Sequence, residues 1–300
     1  MPKDLSQQVI LIAGASSGIG AALARMLAER FPGIRLVLAA RSVDWLDKVA
    51  ADCRVGGAQV LVVPTDMSCP EQVEALAQQA IATFEGVDIL VNNAGYGQMG
   101  PIELIPPKRV REQFHTNVFG AIALCRSLTP SMRDRGGGRI INVSSLGGRL
   151  AFPFGGLYSA SKFALEGFSD ALRMELSPFN IRVSVVEPGP VRTNFFDVAK
   201  QKVEQSVPNP DRTPYRAAFK RLEGLDRQVD RQAWSAERVA GVIVRAMEAA
   251  RPRSRYVAAT GGNILLFLMR KILPVWAVDA FWKRFYGIDL VERDWHDDSK

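Results

Sequence analysis

"QVILIAGASSGIGAALA", residues 8–24, decides the fold. Its first seven residues are a near-continuous apolar run of strand length, which is how a strand buried on both faces reads. Its second half, from Gly18, has the small and apolar residues of a helix that packs tightly. Gly14, Gly18 and Gly20 mark the turn, where glycine permits a positive φ and close approach of backbone to backbone or to an anion. The helix that follows would present free N–H groups to negative charge at its N-terminus. The turn therefore reads as a phosphate cradle, lined by Gly14, Ser16, Ser17, Gly18, Ile19 and Gly20. Its glycine spacing is GxxxGxG, wider than the GxGxxG of many dinucleotide sites.

The same alternation continues outward. "IRLVLAA" (34–40), "AQVLVVP" (58–64), "VDILVNNAG" (87–95), "GRIINVSS" (138–145), "IRVSVVEPG" (181–189) and "RYVAA" (255–259) read as further strands. Amphipathic stretches at 18–31, 43–53, 71–84, 107–133, up to 176 and 235–249, the last N-capped by Ser235, read as helices between them. Strand–helix alternation of this kind predicts one doubly wound α/β domain of Rossmann type. The expected sheet is mostly parallel, with seven strands in the order 3-2-1-4-5-6-7 and helices on both faces. This domain would span residues 1–260, with the polar, proline-bearing segment 190–233 as a lid beside a ligand site. Residues 261–300 would be an apolar and basic helical extension.

Composition narrows the classes. Hydrophobic content of 47% and charged content of 23% are ordinary for a globular protein. The net charge of +7 is carried mostly by arginine and suits a solvated basic surface, a phosphorylated cofactor or an anionic membrane. No run of Lys and Arg is interleaved with aromatics, which argues against nucleic acid. Cys53, Cys69 and Cys125 are odd in number and lack a CxxC, as reduced thiols of a cytoplasmic protein would be. His115 and His296 are the only imidazoles and form no cluster of ligand spacing, so no metal is expected. "MPKDLSQQ" does not read as a signal peptide.

Two local patterns carry chemistry. After the second strand, about 20 residues beyond the glycine turn, an Asp or Glu would accept from the adenosine ribose and favour NAD. This chain has Ala39, Ala40 and Arg41 there, which offers a guanidinium to a 2′-phosphate and predicts NADP(H). In "YSASK", Tyr158 and Lys162 stand four apart and share a helix face. A cation there favours phenolate, bringing a phenol that starts near ~10 toward acid–base work.

With "GASSGIG", "NNAG" (92–95), Asn117 in "HTNVFG", "INVSS" (141–145) and "PGPVRT" (188–193), the set resembles the short-chain dehydrogenase/reductase family over residues 8–193. The resemblance implies an NADP(H)-dependent oxidoreductase that moves a hydride between nicotinamide and a carbonyl or secondary alcohol. It makes Tyr158 the general acid/base and Lys162 the residue that lowers its pKa and binds the nicotinamide ribose. Ser145 would hold the substrate oxygen, and Asn117 would complete the proton relay. Asp66 and Met67 would meet the adenine, and Asn93, Ala94 and Gly95 would line the adenosine side, with Asn92 tying strands together. Pro188, Gly189, Val191 and Thr193 would cover the carboxamide. A homo-oligomer, dimer or tetramer, is also implied.

"YSASKFALEGFSDALRMELSPF" looks most like the hydroxysteroid and retinol dehydrogenase branch, within lipid metabolism. "LAFPFGGL" (150–157) offers Leu150, Phe152, Phe154 and Leu157 as an apolar wall, and a lipophilic substrate is the expectation. A 3-ketoacyl thioester or small-ketone reductase is the alternative, and a non-catalytic NADP-binding sensor the second, against which Ser145, Tyr158 and Lys162 argue. "NILLFLMRKILPVWAVDAFWKRFYG" (263–287) sets Arg270, Lys271, Lys283 and Arg284 among Leu, Phe and Trp. It is too charged to span a bilayer. It reads as a cover over the cleft, a subunit interface, or a peripheral contact of residues 264–286 with an anionic membrane.

Overall fold

A computed structural model describes residues 4–223 and 232–298 of the chain. The part of the expected lid at 224–231 lies outside the described residues.

The main sheet has seven parallel strands: β1 (Val9–Ala13), β2 (Arg35–Ala40), β3 (Gln59–Pro64), β4 (Ile89–Asn92), β5 (Gly138–Val143), β6 (Ile181–Pro188) and β7 (Arg255–Ala258). Their spatial order is 3-2-1-4-5-6-7, with every neighbouring pair parallel. The opening apolar run explains this architecture. All five side chains of β1 are fully buried, Ile10 and Ile12 in the core of one face and Val9, Leu11 and Ala13 in that of the other. Helices α1 (Gly18–Arg30), α2 (Val43–Val55) and α9 (Ala236–Glu248) cover the first face, and α3 (Pro70–Phe84), α5 (Gly120–Asp134) and α6 (Gly156–Leu176) the second. The order reverses between β1 and β4, the switch point at which such sheets open a crevice beyond the carboxyl ends of their strands.

Two elements differ from their sequence reading. The single helix expected over 107–133 is α4 (Pro107–Phe114) and α5 joined by a π-helical turn at His115–Phe119. The excursion after β6 is not irregular where described: α7 (Phe195–Ser206), a 3₁₀ turn (Pro210–Arg212) and α8 (Arg216–Leu222) follow one another. Its two ends are pinned together by a short parallel pair, Val191–Arg192 with Trp234–Ser235. Ser235 then caps α9, its hydroxyl accepting from Arg238 N at 3.3 Å.

The C-terminal extension is helical. α10 (Gly262–Phe267) runs on through a π turn (Leu268–Ile272) to Pro274, then α11 (Val275–Tyr286) and α12 (Ile288–Asp298) follow. Gly287 (φ +73°) makes the left-handed break between the last two, where a Cβ would fall 3.0 Å from Arg221 Cβ on α8. Among the described residues, no helix is long and apolar enough to cross a membrane.

Candidate active site

The glycine loop has no room for a side chain at Gly14 or Gly20. Gly14 (φ +78°) leaves β1 with its N–H donating to Ala39 O at 2.7 Å. A Cβ on it would lie 2.8 Å from Ala94 Cα, and one on Gly20 would lie 2.1 Å from Gly14 O. The Asn93 amide donates to that same Gly14 carbonyl at 3.0 Å, so this side chain fixes the loop and leaves the lining of a ligand to its backbone. Asn92, one residue earlier, donates to Asn142 Oδ1 at 2.9 Å and ties β4 to β5. Ser17 begins α1 in extended backbone, and no side chain caps the helix. The N–H groups of its first turn are therefore available to an anion, and the residues fit a pyrophosphate. Thr193, returning from β6, lies over this helix start, 3.1 Å from where a Gly18 Cβ would be.

At the outer end, Ala39 and Ala40 close β2 and Arg41 is exposed beyond them. The Asp66 carboxyl would be raised by its burial. Bonds from Ser68 N–H (2.9 Å) and O–H (2.7 Å), with the Arg41 charge, outweigh this and hold it below the usual range. Its Oδ1 thus already serves an Asx turn, and Met67 is buried beside it. Lys202 of α7 brings its ammonium 5.2 Å from the Tyr96 ring, and burial with the nearby Arg109 and Arg41 lowers its pKa.

The chemical end gathers beyond β4, β5 and β6. Asn117 sits in the π turn, where its Oδ1 accepts from Tyr96 N (3.0 Å) and its Nδ2 donates to Tyr96 O (2.9 Å) and Ser161 Oγ (3.1 Å). The extra residue of a π turn rotates one side chain out of helical register. Here that brings Asn117 toward α6. A Cβ on Gly95 would meet Asn117 Oδ1 at 3.1 Å and Lys162 Nζ at 3.5 Å, so the three converge. Lys162, 5% exposed, donates to Val143 O at 2.9 Å, and its ammonium is 6.0 Å from the centre of the Tyr158 ring. Ser145 lies just beyond β5 and caps the turn that follows, its Oγ accepting from Gly147 N at 3.0 Å and facing Pro188 O at 3.5 Å. Gly189 and Val191 continue from there into the short strand pair.

Burial dominates the electrostatics here. It pushes the Tyr158 phenol up to about 12, and the Ser145 hydroxyl pulls the other way. The same burial lowers Lys162 to about 8, opposed by the Glu166 carboxylate. Tyr158 is thus held protonated as an acid, with a cation nearby that is itself close to titrating.

Groups not singled out from sequence complete the site. Phe195, first residue of α7, packs edge-on against Tyr158 with ring centres 5.4 Å apart. The apolar wall is roofed by the extension: Phe152 stacks on Tyr286 (5.6 Å, 11°) and meets Trp282, while Phe154 meets Tyr215, Phe219 and Tyr286. Phe154 takes a positive φ (61°) to turn in under that roof. An open hollow of ≈ 430 Å³ at the rim is walled by Ile102, Pro153, Phe154, Tyr215 and Ile288. The aromatic spacing in 263–287 signals that a roof exists, but its partner, 130 residues away in sequence, carries no matching pattern.

Comparison with known proteins agrees. The family profile described as short chain dehydrogenase matches residues 8–204. The chain is 39% identical over 193 residues to a 3-ketodihydrosphingosine reductase of Bacteroides thetaiotaomicron, covering 64% of this chain and 67% of that one. It is 31% identical over 258 residues to human 17-beta-hydroxysteroid dehydrogenase type 1, covering 84% and 77%. Among solved structures, a short chain dehydrogenase/reductase from Burkholderia phymatum in complex with NAD superposes with TM-score 0.78 at 29% identity, covering 89% and 94%. A metagenomic short-chain oxidoreductase in complex with NADP gives 0.67 at 30%, covering 85% and 98%. With its parallel sheet, glycine cradle and Ser–Tyr–Lys grouping, the chain belongs to the short-chain dehydrogenase/reductase family.

Proposed function

We propose that this protein is an NADP(H)-dependent oxidoreductase that interconverts a lipophilic ketone and its secondary alcohol, with Tyr158 as general acid/base. The observation that carries the reading is the pairing of Tyr158 and Lys162, both buried, one turn apart on α6 beside the glycine cradle. The nicotinamide, when bound, supplies or accepts the hydride. The protein's part is the proton. As the carbonyl carbon gains its hydride, its oxygen takes up negative charge, and the Tyr158 O–H gives its proton to that oxygen. Ser145 donates to the same oxygen, and the Lys162 ammonium stabilises the phenolate left behind. Oxidation runs the same transfers in reverse.

NADP over NAD is supported by the charge at the end of β2. No carboxylate stands there to repel a 2′-phosphate, and the Arg41 guanidinium acts on the same space as Asp66 and Lys202. A lipophilic substrate is supported by the aromatic roof over the "LAFPFGGL" wall and by relatives whose names carry a steroid and a keto-lipid. A peripheral membrane contact through 264–286 is supported by Ile264, Phe267, Ile272, Val275 and Trp276, all exposed on the extension beside Arg270 and Lys271. Trp282 is set apart from these, because it turns inward onto Phe152. The test is NADPH and NADH consumption over steroids, long-chain ketones, 3-ketoacyl thioesters and small ketones. The reading expects NADPH and a bulky lipophilic ketone to give the highest kcat/KM. A preference for NADH or for a small soluble ketone would overturn it.

A further inference from the structure

Behind the Tyr158–Lys162 pair lies a group of buried charges that the mechanism above does not use. Glu166 follows Lys162 by one further turn of α6, so three functional side chains stand in a row on one helix face. Its side chain is 6% exposed. Gly148 lies against both neighbours: a Cβ there would fall 3.2 Å from Lys162 Cβ and 3.2 Å from Glu166 Cγ. The next layer comes from other elements. Arg255 of β7 donates to Glu166 Oε2 at 3.0 Å and to Asp170 Oδ2 at 2.6 Å, and stands 3.2 Å from Glu187 of β6. Glu187 is completely buried and is also paired with Arg149 at 2.9 Å. Arg173 reaches only the outer carboxylate, Asp170, at 3.3 Å. On the side toward the chemistry, Lys162 faces the Val143 carbonyl, Asn117 and the Tyr158 ring, none of them an anion at neutral pH.

Burying two carboxylates costs several kcal/mol each unless they are paired, and Arg149 and Arg255 supply that pairing. One of the two, Glu166, is placed where its charge also reaches Lys162. Resting on the proposed role of Lys162, we propose that Glu166 is a positioning residue which acts as the counter-charge that keeps Lys162 protonated, with Arg255 fixing it in place. Glu166 is the charged group that opposes the effect of burial on the ammonium. Its own carboxyl is raised by burial and by Glu187, against which the Ser144 hydroxyl and the Arg255 guanidinium favour the charged form. Glu187, held between Arg149 and Arg255, is the internal contrast: a buried carboxylate on a neighbouring strand rather than on the helix of Lys162.

The sign follows directly. Lys162 loses its proton near pH 8, and a ketone reductase that needs the ammonium loses activity as pH rises through that value. Without the Glu166 charge, the loss comes at lower pH. The experiment is a titration of ¹³Cε-labelled lysine by NMR on the full chain, with Lys162 assigned by its disappearance in Lys162→Ala. Glu166→Gln should move the Lys162 midpoint down by about half a pH unit or more, and Glu166→Asp by less. Glu187→Gln should leave it in place. The alkaline limb of kcat/KM for reduction should move with the midpoint. If Glu166→Gln does not fold, Glu166→Asp still reads the effect, because it keeps the charge and withdraws it by one methylene. A midpoint unmoved in the folded variants, or moved as far by Glu187→Gln, overturns the proposal. Absence of any reductase activity in the wild type would instead overturn the functional reading, and the NMR result would stand apart from it.

Discussion

Arg41 shows how much of the cofactor question rests on single side chains. It stands after two alanines at the end of β2, and its charge is felt by Asp66, Tyr96 and Lys202. A monoester phosphate brought to this end would find cations without a carboxylate of its own kind in the ribose position, whereas a bare ribose would find no acceptor there. Replacing Ala40 with Asp and Arg41 with Leu reverses both features. The double variant should lose NADPH efficiency by about a hundredfold, the worth of two charge-assisted contacts at ~1.5 kcal/mol each, and gain with NADH. Steady-state kinetics with both cofactors decide it, and an unchanged ratio of kcat/KM would remove Arg41 from the argument.

Among the elements, α7 is the one whose placement matters most and was least legible. Its interior is polar and charged, and sequence alone marks the 190–233 segment only as a lid. What holds it down is distant in sequence: Gln98 Nε2 donates to Ser206 Oγ at 3.1 Å and Arg109 to Gln205 Oε1 at 3.1 Å. Those contacts seat Phe195 on Tyr158. Phe195→Ala should raise KM for a bulky ketone about tenfold, from the loss of roughly 1.5 kcal/mol of apolar contact, and leave NADPH affinity within twofold. An unchanged KM would show that Phe195 does not face substrate.

The contrast with β1 explains what sequence could and could not show. A strand buried on both faces leaves a contiguous apolar run, and a glycine turn leaves a contiguous motif, so both can be read in one window. The π turn at His115–Phe119 adds a single residue to a helix whose apolar period continues on both sides, and the period hides it. The Glu166–Arg255–Glu187 grouping joins a helix to two strands in three dimensions. Nothing in the spacing of these residues along the chain announces it. Burial of Tyr158 and Lys162 is hidden for a related reason: spacing shows that a cation is near but not that both groups are out of water.

At the scale of the whole molecule, the extension has two faces with different work. Trp282 and Tyr286 turn inward to roof the apolar wall, while Ile264, Phe267, Ile272, Val275 and Trp276 stay exposed. Adsorption to anionic lipid would bury the exposed set and bring Arg270 and Lys271 to the headgroups, each basic residue contributing about 1 kcal/mol. Sedimentation with phosphatidylserine vesicles should therefore carry the protein down at low salt and release it at high salt. Retention in the supernatant at low salt would leave roofing the cleft as the role of this segment. The account as a whole depends most on Tyr158, and one measurement reaches it directly. Single-turnover oxidation of bound NADPH by a lipophilic ketone is followed in wild type and Tyr158→Phe, with cofactor binding measured by calorimetry on the same preparations. The account predicts NADPH binding within twofold of wild type and a rate lower by at least ~10²-fold, the range of general acid catalysis. Near-normal turnover in Tyr158→Phe would contradict it.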